Sequence, residues 1–232
     1  MRYRNVGVFF GQTAPLERLG ALTDGVYAIV LTLLVLDLKV PETPGLTEAQ
    51  LLADLWKQIP NFIAYLVSFC MVAFSWMRNF WIFKHLKQCN EKIFWLNFAH
   101  LLFVSLTPYT ASLIGHYHDE PFAVILFSGS LGLASLSLLF LHRHVAAKSE
   151  WHQEGAPNLW RNPNWWAMYP GPLFALSSIL LSFVTINGAV ALWFLTPVWP
   201  SLFWRKQSAH EEKNPSPHGK VSQEGLLNTS KT

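Results

Sequence analysis

Six stretches of the chain carry the apolar character that a bilayer-spanning helix needs over about 20 residues. They cover residues 19–38, 59–80, 93–114, 121–141, 172–186 with a backward extension through Trp165, and 189–204. Only Asn187 and Gly188 separate the last two, and Pro170, Pro172, Pro197 and Pro200 interrupt their pattern. The sequence therefore predicts a tight helical hairpin there. After Pro44 and Gly45, Thr47-x-x-Gln50 has the form of a capping box, and Leu51, Leu52, Leu55 and Ile59 follow at helical spacing. This predicts a short amphipathic helix near 47–58, lying on the membrane surface. From Gln207 onward Ser, Lys, Glu, Asn and Gly dominate, which is the composition of a disordered tail.

Charge gives these elements a direction. Fifteen of the 17 Lys and Arg residues fall before the first stretch, at the end of the second or between it and the third, between the fourth and fifth, or after the sixth. The alternate loops hold only Lys39 and Lys57. The positive-inside rule then places both termini in the cytoplasm, which requires an even number of spans. The expected organisation is an N-terminal cytoplasmic segment over 1–16, a six-helix transmembrane domain over 17–206, and a cytoplasmic tail over 207–232. The fold class is all-α, in a multi-pass protein of the cell membrane.

Composition agrees with that class: 51% of the 232 residues are hydrophobic and 13% are charged, against about 25% charged in an average soluble domain. The net charge of +3 is too small to point to nucleic acid. Cys70 and Cys89 form no C-x-x-C and read as structural thiols. The apolar run VGVFF near the start is shorter than a signal h-region, so no cleaved signal is expected. No Walker A, Rossmann turn or nucleophile elbow is present, and nothing in the sequence points to an enzyme or a cofactor.

The informative chemistry lies in the first span, where Asp24 stands among apolar residues. Leaving an acid charged in hydrocarbon costs several kcal/mol, so such a residue is either functional or braced by partners. Topology favours a brace: Arg78, Asn79, Asn97 and His100 are expected in the same leaflet. On a helical wheel Ala28, Leu31 and Val35 lie near Asp24, whereas Ile29, Thr32, Leu33 and Leu36 cluster roughly 80–180° away. An acid facing the protein interior leaves that stripe free to face lipid, another subunit or an aqueous pathway.

Arg18-x-x-x-Leu22-Thr23-Asp24, followed by GVYAIVLTLLVLDLKVP, resembles the Arg-x-x-x-Phe-Ser-Asp signature of the transmembrane protein 175 potassium channel family in its single-repeat prokaryotic form. Trp76 and the segment WLNFAHLLFVSLTPYTASLIGHY, with Asn97, Pro108, Thr110 and Gly115, extend the similarity. The departures are Leu22 for Phe, Thr23 for Ser, and Arg78-Asn79-Phe80 in place of a polar residue and paired histidines. The resemblance implies a homotetramer around a central pore lined by the first helices, passing potassium and other monovalent cations. Ile29, Leu33 and Leu36 would form apolar rings and Thr32 a hydroxyl ring. The chain has no TVGYG-like loop, so a carbonyl filter lacks material.

Weaker features are ordinary on inspection. His116-x-His118-Asp119-Glu120 reads as polar loop composition rather than a metal site. His142-Arg143-His144 reads as an interfacial anchor, and Ser128, Gly132 and Ser135 as a close-packing face. Two rival functions remain: a proton-coupled transporter using Asp24, and a non-conducting membrane scaffold.

Overall fold

The computed structural model describes residues 14–41, 45, 47–147 and 170–196, with side chains from Leu16 onward. These belong to the first of two compact units, which ends at Pro197. The expected cytoplasmic segment before Ala14 and the tail over 207–232 lie outside the described residues, as do Arg161 and Trp165.

Every regular element among the described residues is helical. α1 (Ala14–Leu33) continues into a 3₁₀ turn, Leu34–Asp37. Then come α2 (Glu48–Lys57), α3 (Ile59–Lys84), α4 (Glu91–Ser105), α5 (Thr107–His116), α6 (Pro121–Ala146), α7 (Gly171–Ser182) and α8 (Ile186–Ala191). A second 3₁₀ turn, Leu192–Leu195, extends α8. Among the described residues four segments are long and apolar enough to cross a membrane: Leu16–Asp37, Ile59–Lys84, Glu91–His116 and Pro121–Ala146. At about 1.5 Å per residue, 26 residues reach about 39 Å, more than the roughly 30 Å hydrocarbon core.

The expected fifth and sixth spans are described only in part, since 165–169 and 197–204 lie outside the described residues. Gly171–Ser182 and Ile186–Leu195 are apolar but 12 and ten residues long, and 12 residues reach only about 18 Å. The break between them falls at 183–185 rather than at Asn187 and Gly188, because the Thr185 hydroxyl caps α8 by accepting from the Gly188 N–H. Asn187 and Gly188 are thereby helical. The third span also breaks, at Leu106. Pro108 has no N–H for the carbonyl four residues back and its ring crowds that turn, so α4 stops and α5 restarts.

The capping box is present. Gln50 N–H donates to Thr47 Oγ1 at 3.4 Å, and the Thr47 N–H donates to Gln50 Oε1 at 3.0 Å. The helix it starts, α2, buries none of its residues, and Leu52 and Trp56 are exposed.

α6 occupies the centre, between α4 and α7. Its small-residue face packs against α7: a Cβ at Gly132 would stand 2.6 Å from Ala175 Cβ, and one at Gly171 would run into the Ser135 hydroxyl. Ser128 Oγ lies 2.9 Å from Ser178 Oγ and accepts from Trp193 Nε1 at 3.1 Å, which ties α6 to α7 and to the turn after α8. α1 packs on α3 and α4.

Candidate functional site

Five residues of α1 and its 3₁₀ extension face inward: Leu19, Thr23, Tyr27, Val30 and Leu34. Their spacing of 4, 4, 3 and 4 is that of a single helical stripe. Two of the five are polar, and each anchors a buried hydrogen-bond chain. Asn79 Nδ2 donates to Asn97 Oδ1 at 2.9 Å, and Asn97 Nδ2 donates to Thr23 Oγ1 at 2.8 Å. The Thr23 hydroxyl in turn donates to the Leu19 carbonyl at 2.7 Å. One turn deeper, Tyr27 Oη hydrogen-bonds Ser75 Oγ at 2.9 Å and His100 Nε2 at 2.5 Å. His100 Nδ1 donates to the Ala134 carbonyl at 2.8 Å, which fixes Nε2 of the neutral ring as the acceptor. α1 is thus stitched to α3 and α4, and through His100 of α4 to α6, in a region where unpaired polar groups are costly.

Asp24 is not the centre of this network. It is exposed, and one carboxylate oxygen accepts from Trp76 Nε1 at 2.7 Å. The expectation that Asp24 gathers Arg78, Asn79, Asn97 and His100 is corrected accordingly. Asn79 and Asn97 serve Thr23, His100 serves Tyr27, and Trp76 serves the acid. The physical reason is angular: Asp24 sits about 100° round the helix from Thr23, off the buried stripe. Arg18 and Leu22 are exposed, and Arg78 is half-buried. Sequence reading missed Tyr27 and Ser75. Their signal was Tyr27 itself, a hydroxyl-bearing residue four positions after Thr23 and so on the same face of the helix.

The opposite face of α1 is exposed among the described residues. Ile29, Leu33 and Leu36 are 59%, 44% and 70% exposed, and Thr32 is exposed beside them. The Thr32 hydroxyl donates to the Ile29 carbonyl at 2.8 Å. That bond occupies its proton and leaves the oxygen lone pairs facing away from the helix. Val30 and Leu34, in contrast, are core residues. Among the described residues no group of His, Cys, Asp and Glu is arranged to hold a metal ion.

The described residues form a helical bundle with four segments apolar enough to cross a membrane, its first helix stitched by polar side chains on one face and exposed on the other, which is the pattern of a multi-pass membrane protein. Residues 18–108 match the profile of the family described as "Endosomal/lysosomal potassium channel TMEM175", and the resemblance to the transmembrane protein 175 family is thereby shown. A potassium channel of Chryseobacterium sp. (strain P1-3) is 38% identical over 108 residues, covering 46% of this chain and 53% of that protein, so the match spans about half of that relative's length. A potassium channel of Chamaesiphon minutus is 29% identical over 201 residues, covering 80% of this chain and 93% of the relative. The crystal structure of a lysosomal potassium-selective channel TMEM175 homolog from Chamaesiphon minutus superposes with a TM-score of 0.69 at 24% identity. It covers 82% of this chain and 97% of its own, and it establishes the likeness of fold.

Proposed function

We propose that the protein is a potassium-permeable cation channel of the cell membrane, assembled from four copies around a pore lined by α1. The single observation that carries this reading is the two-faced α1. A helix held rigidly by buried hydrogen bonds on one side offers an apolar stripe with one hydroxyl on the other. Four such stripes converging on an axis would form rings of Ile29, Leu33 and Leu36 narrow enough to exclude water, which blocks ions without any charge. Thr32 would supply a ring of four hydroxyl oxygens whose lone pairs can replace part of an ion's hydration shell. Both termini lie in the cytoplasm by the charge bias of the loops. The relatives named as potassium channels support potassium as the permeant ion.

The test is current from purified protein in bilayers under a potassium gradient, together with the native mass of the detergent-extracted complex. The expected results are a reversal potential near that of potassium and a mass of four chains. Leu33→Asn should raise conductance or open probability, because one substitution hydrates a whole ring. Thr32→Ala should reduce potassium preference while leaving stability near normal, since Ala is a good helix former. The matched control is Ala28→Asn, on an exposed position about 140° from Leu33. Val30 and Leu34 are unsuitable controls, since a polar group there tests folding instead. Intact tetramers that pass no current in any variant would overturn the channel reading, and a dimer would overturn the central pore.

A further inference from the structure

The outward stripe ends in a change of helix type. α1 is α-helical through Leu33 and winds as a 3₁₀ turn over Leu34–Asp37. A tighter end is common where helices stop, but this one is tethered at both ends. Leu34 is buried at its start, and the Leu38 N–H closes the turn on the Val35 carbonyl at 3.1 Å. At its far end Asp37 Oδ1 accepts from Ser112 Oγ of α5 at 2.6 Å. Asp37 Oδ2 lies 3.8 Å from His116 Nδ1, whose ring bonds the Ser112 carbonyl at 2.9 Å. The acid is partly buried against α5 and points away from the stripe.

Winding decides what the stripe presents. At about 120° per residue, positions three apart eclipse, so Leu36 stands directly over Leu33 and Asp37 lies about 120° away. At the about 100° of an α-helix, Leu36 would turn about 60° off Leu33, and Asp37 would come within about 40° of it. The same change would shorten the four-residue segment by about 2 Å. We infer that Asp37 and Ser112 are positioning residues whose hydrogen bond holds the 3₁₀ turn, sets Leu36 in line with Leu33, and keeps the carboxylate off the apolar stripe. Breaking the bond lets the turn relax toward α and carries an acid to the mouth of the stripe, where it favours water and cations. The effect on current rests on the pore reading above; the effect on register does not.

The experiment uses the full chain in liposomes with Cys70 and Cys89 replaced by Ala. Leu33→Cys and Leu36→Cys are made singly, with Ser112 intact or as Ser112→Ala, and the rate of modification by a charged methanethiosulfonate reagent is measured for each. Potassium flux is measured in parallel without the added cysteines. Ser112→Ala should change the ratio of the two modification rates severalfold and raise flux by about tenfold, the equilibrium worth of a hydrogen bond to a charged acceptor. Ser112→Thr keeps the donor and should restore both readouts. An unchanged rate ratio in Ser112→Ala, or failure of Ser112→Thr to restore it, overturns the inference. A shifted ratio with unchanged flux upholds the register and overturns the pore assignment of the stripe.

Discussion

At the scale of single residues, the buried brace of the first helix passes through a hydroxyl rather than a carboxylate. Thr23 stands between Asn97 and the Leu19 carbonyl in a site closed to solvent, whereas Asp24 is exposed and holds one indole N–H. Thr23→Val keeps the shape and removes the acceptor, leaving the Asn97 amide short of a partner, which costs about 1–3 kcal/mol. Asp24→Ala frees only the half-exposed Trp76 N–H and should lower thermal stability less. Thermal unfolding of the two detergent-solubilised variants checks this, and an equal or larger loss at Asp24 would return the brace to the acid. Part of this site was legible in the sequence: Asn79, Asn97 and His100 stood out as polar groups in apolar spans, while Thr23 and Trp76 entered only through the family resemblance. Their pairing was not, because composition puts several acceptors at one membrane depth and only the azimuth of each helix decides among them. One position along α1 separates Thr23 from Asp24, and that 100° step exchanges the interior for the surface.

At the scale of elements, signals carried by local chemistry were readable and signals that depend on neighbours were not. The Thr47–Gln50 capping box and the Ser128, Gly132 and Ser135 face are fixed by residues a few positions apart, and both are found as read. The end of α7 is different. Asn187 and Gly188 look like a turn in isolation, yet Thr185 caps a helix that contains them. The 3₁₀ turn after Leu33 carries no sequence signal either, since LVLD holds neither Gly nor Pro; its tether, Ser112, lies on another helix. The α6–α7 contact can be tested by backbone spacing alone. Gly132→Ala forces a methyl to within 2.6 Å of Ala175 Cβ, an overpacking expected to cost about 1–3 kcal/mol. Gly129→Ala on the same helix meets nothing within 4 Å and should be neutral or gain up to about 1 kcal/mol from helix propensity. Equal melting temperatures for the two variants would show that α7 does not seat on α6 as described.

At the scale of the whole molecule, the proposed orientation makes a prediction about sidedness. α3 runs unbroken from Ile59 to Lys84, so Lys57 and Lys87 stand at its opposite ends, separated by about the thickness of a bilayer. The end with Lys57 adjoins the amphipathic α2, whose apolar side chains are exposed in the chain, as suits a helix resting in the membrane interface. The end with Lys87 adjoins the basic loop that the positive-inside rule assigns to the cytoplasm. Lys57→Cys should therefore react with an impermeant thiol reagent applied to intact cells, and Lys87→Cys should react only after the membrane is opened. The native cysteines add little background. Burial pushes the Cys89 thiol up to about 11, so near neutral pH it stays protonated and is a poor nucleophile beside a newly placed exposed cysteine. Cys70 lies within the α3 span. The Cys89 thiol turns mostly to the reactive thiolate only as the pH nears about 11, so its labelling should rise with pH toward that value, and assays near pH 7 stay selective. Labelling of Lys87→Cys from outside with Lys57→Cys protected would reverse the orientation. Labelling of both from one side would mean that α3 does not cross the membrane, and a pore lined by α1 would lose the frame that holds it.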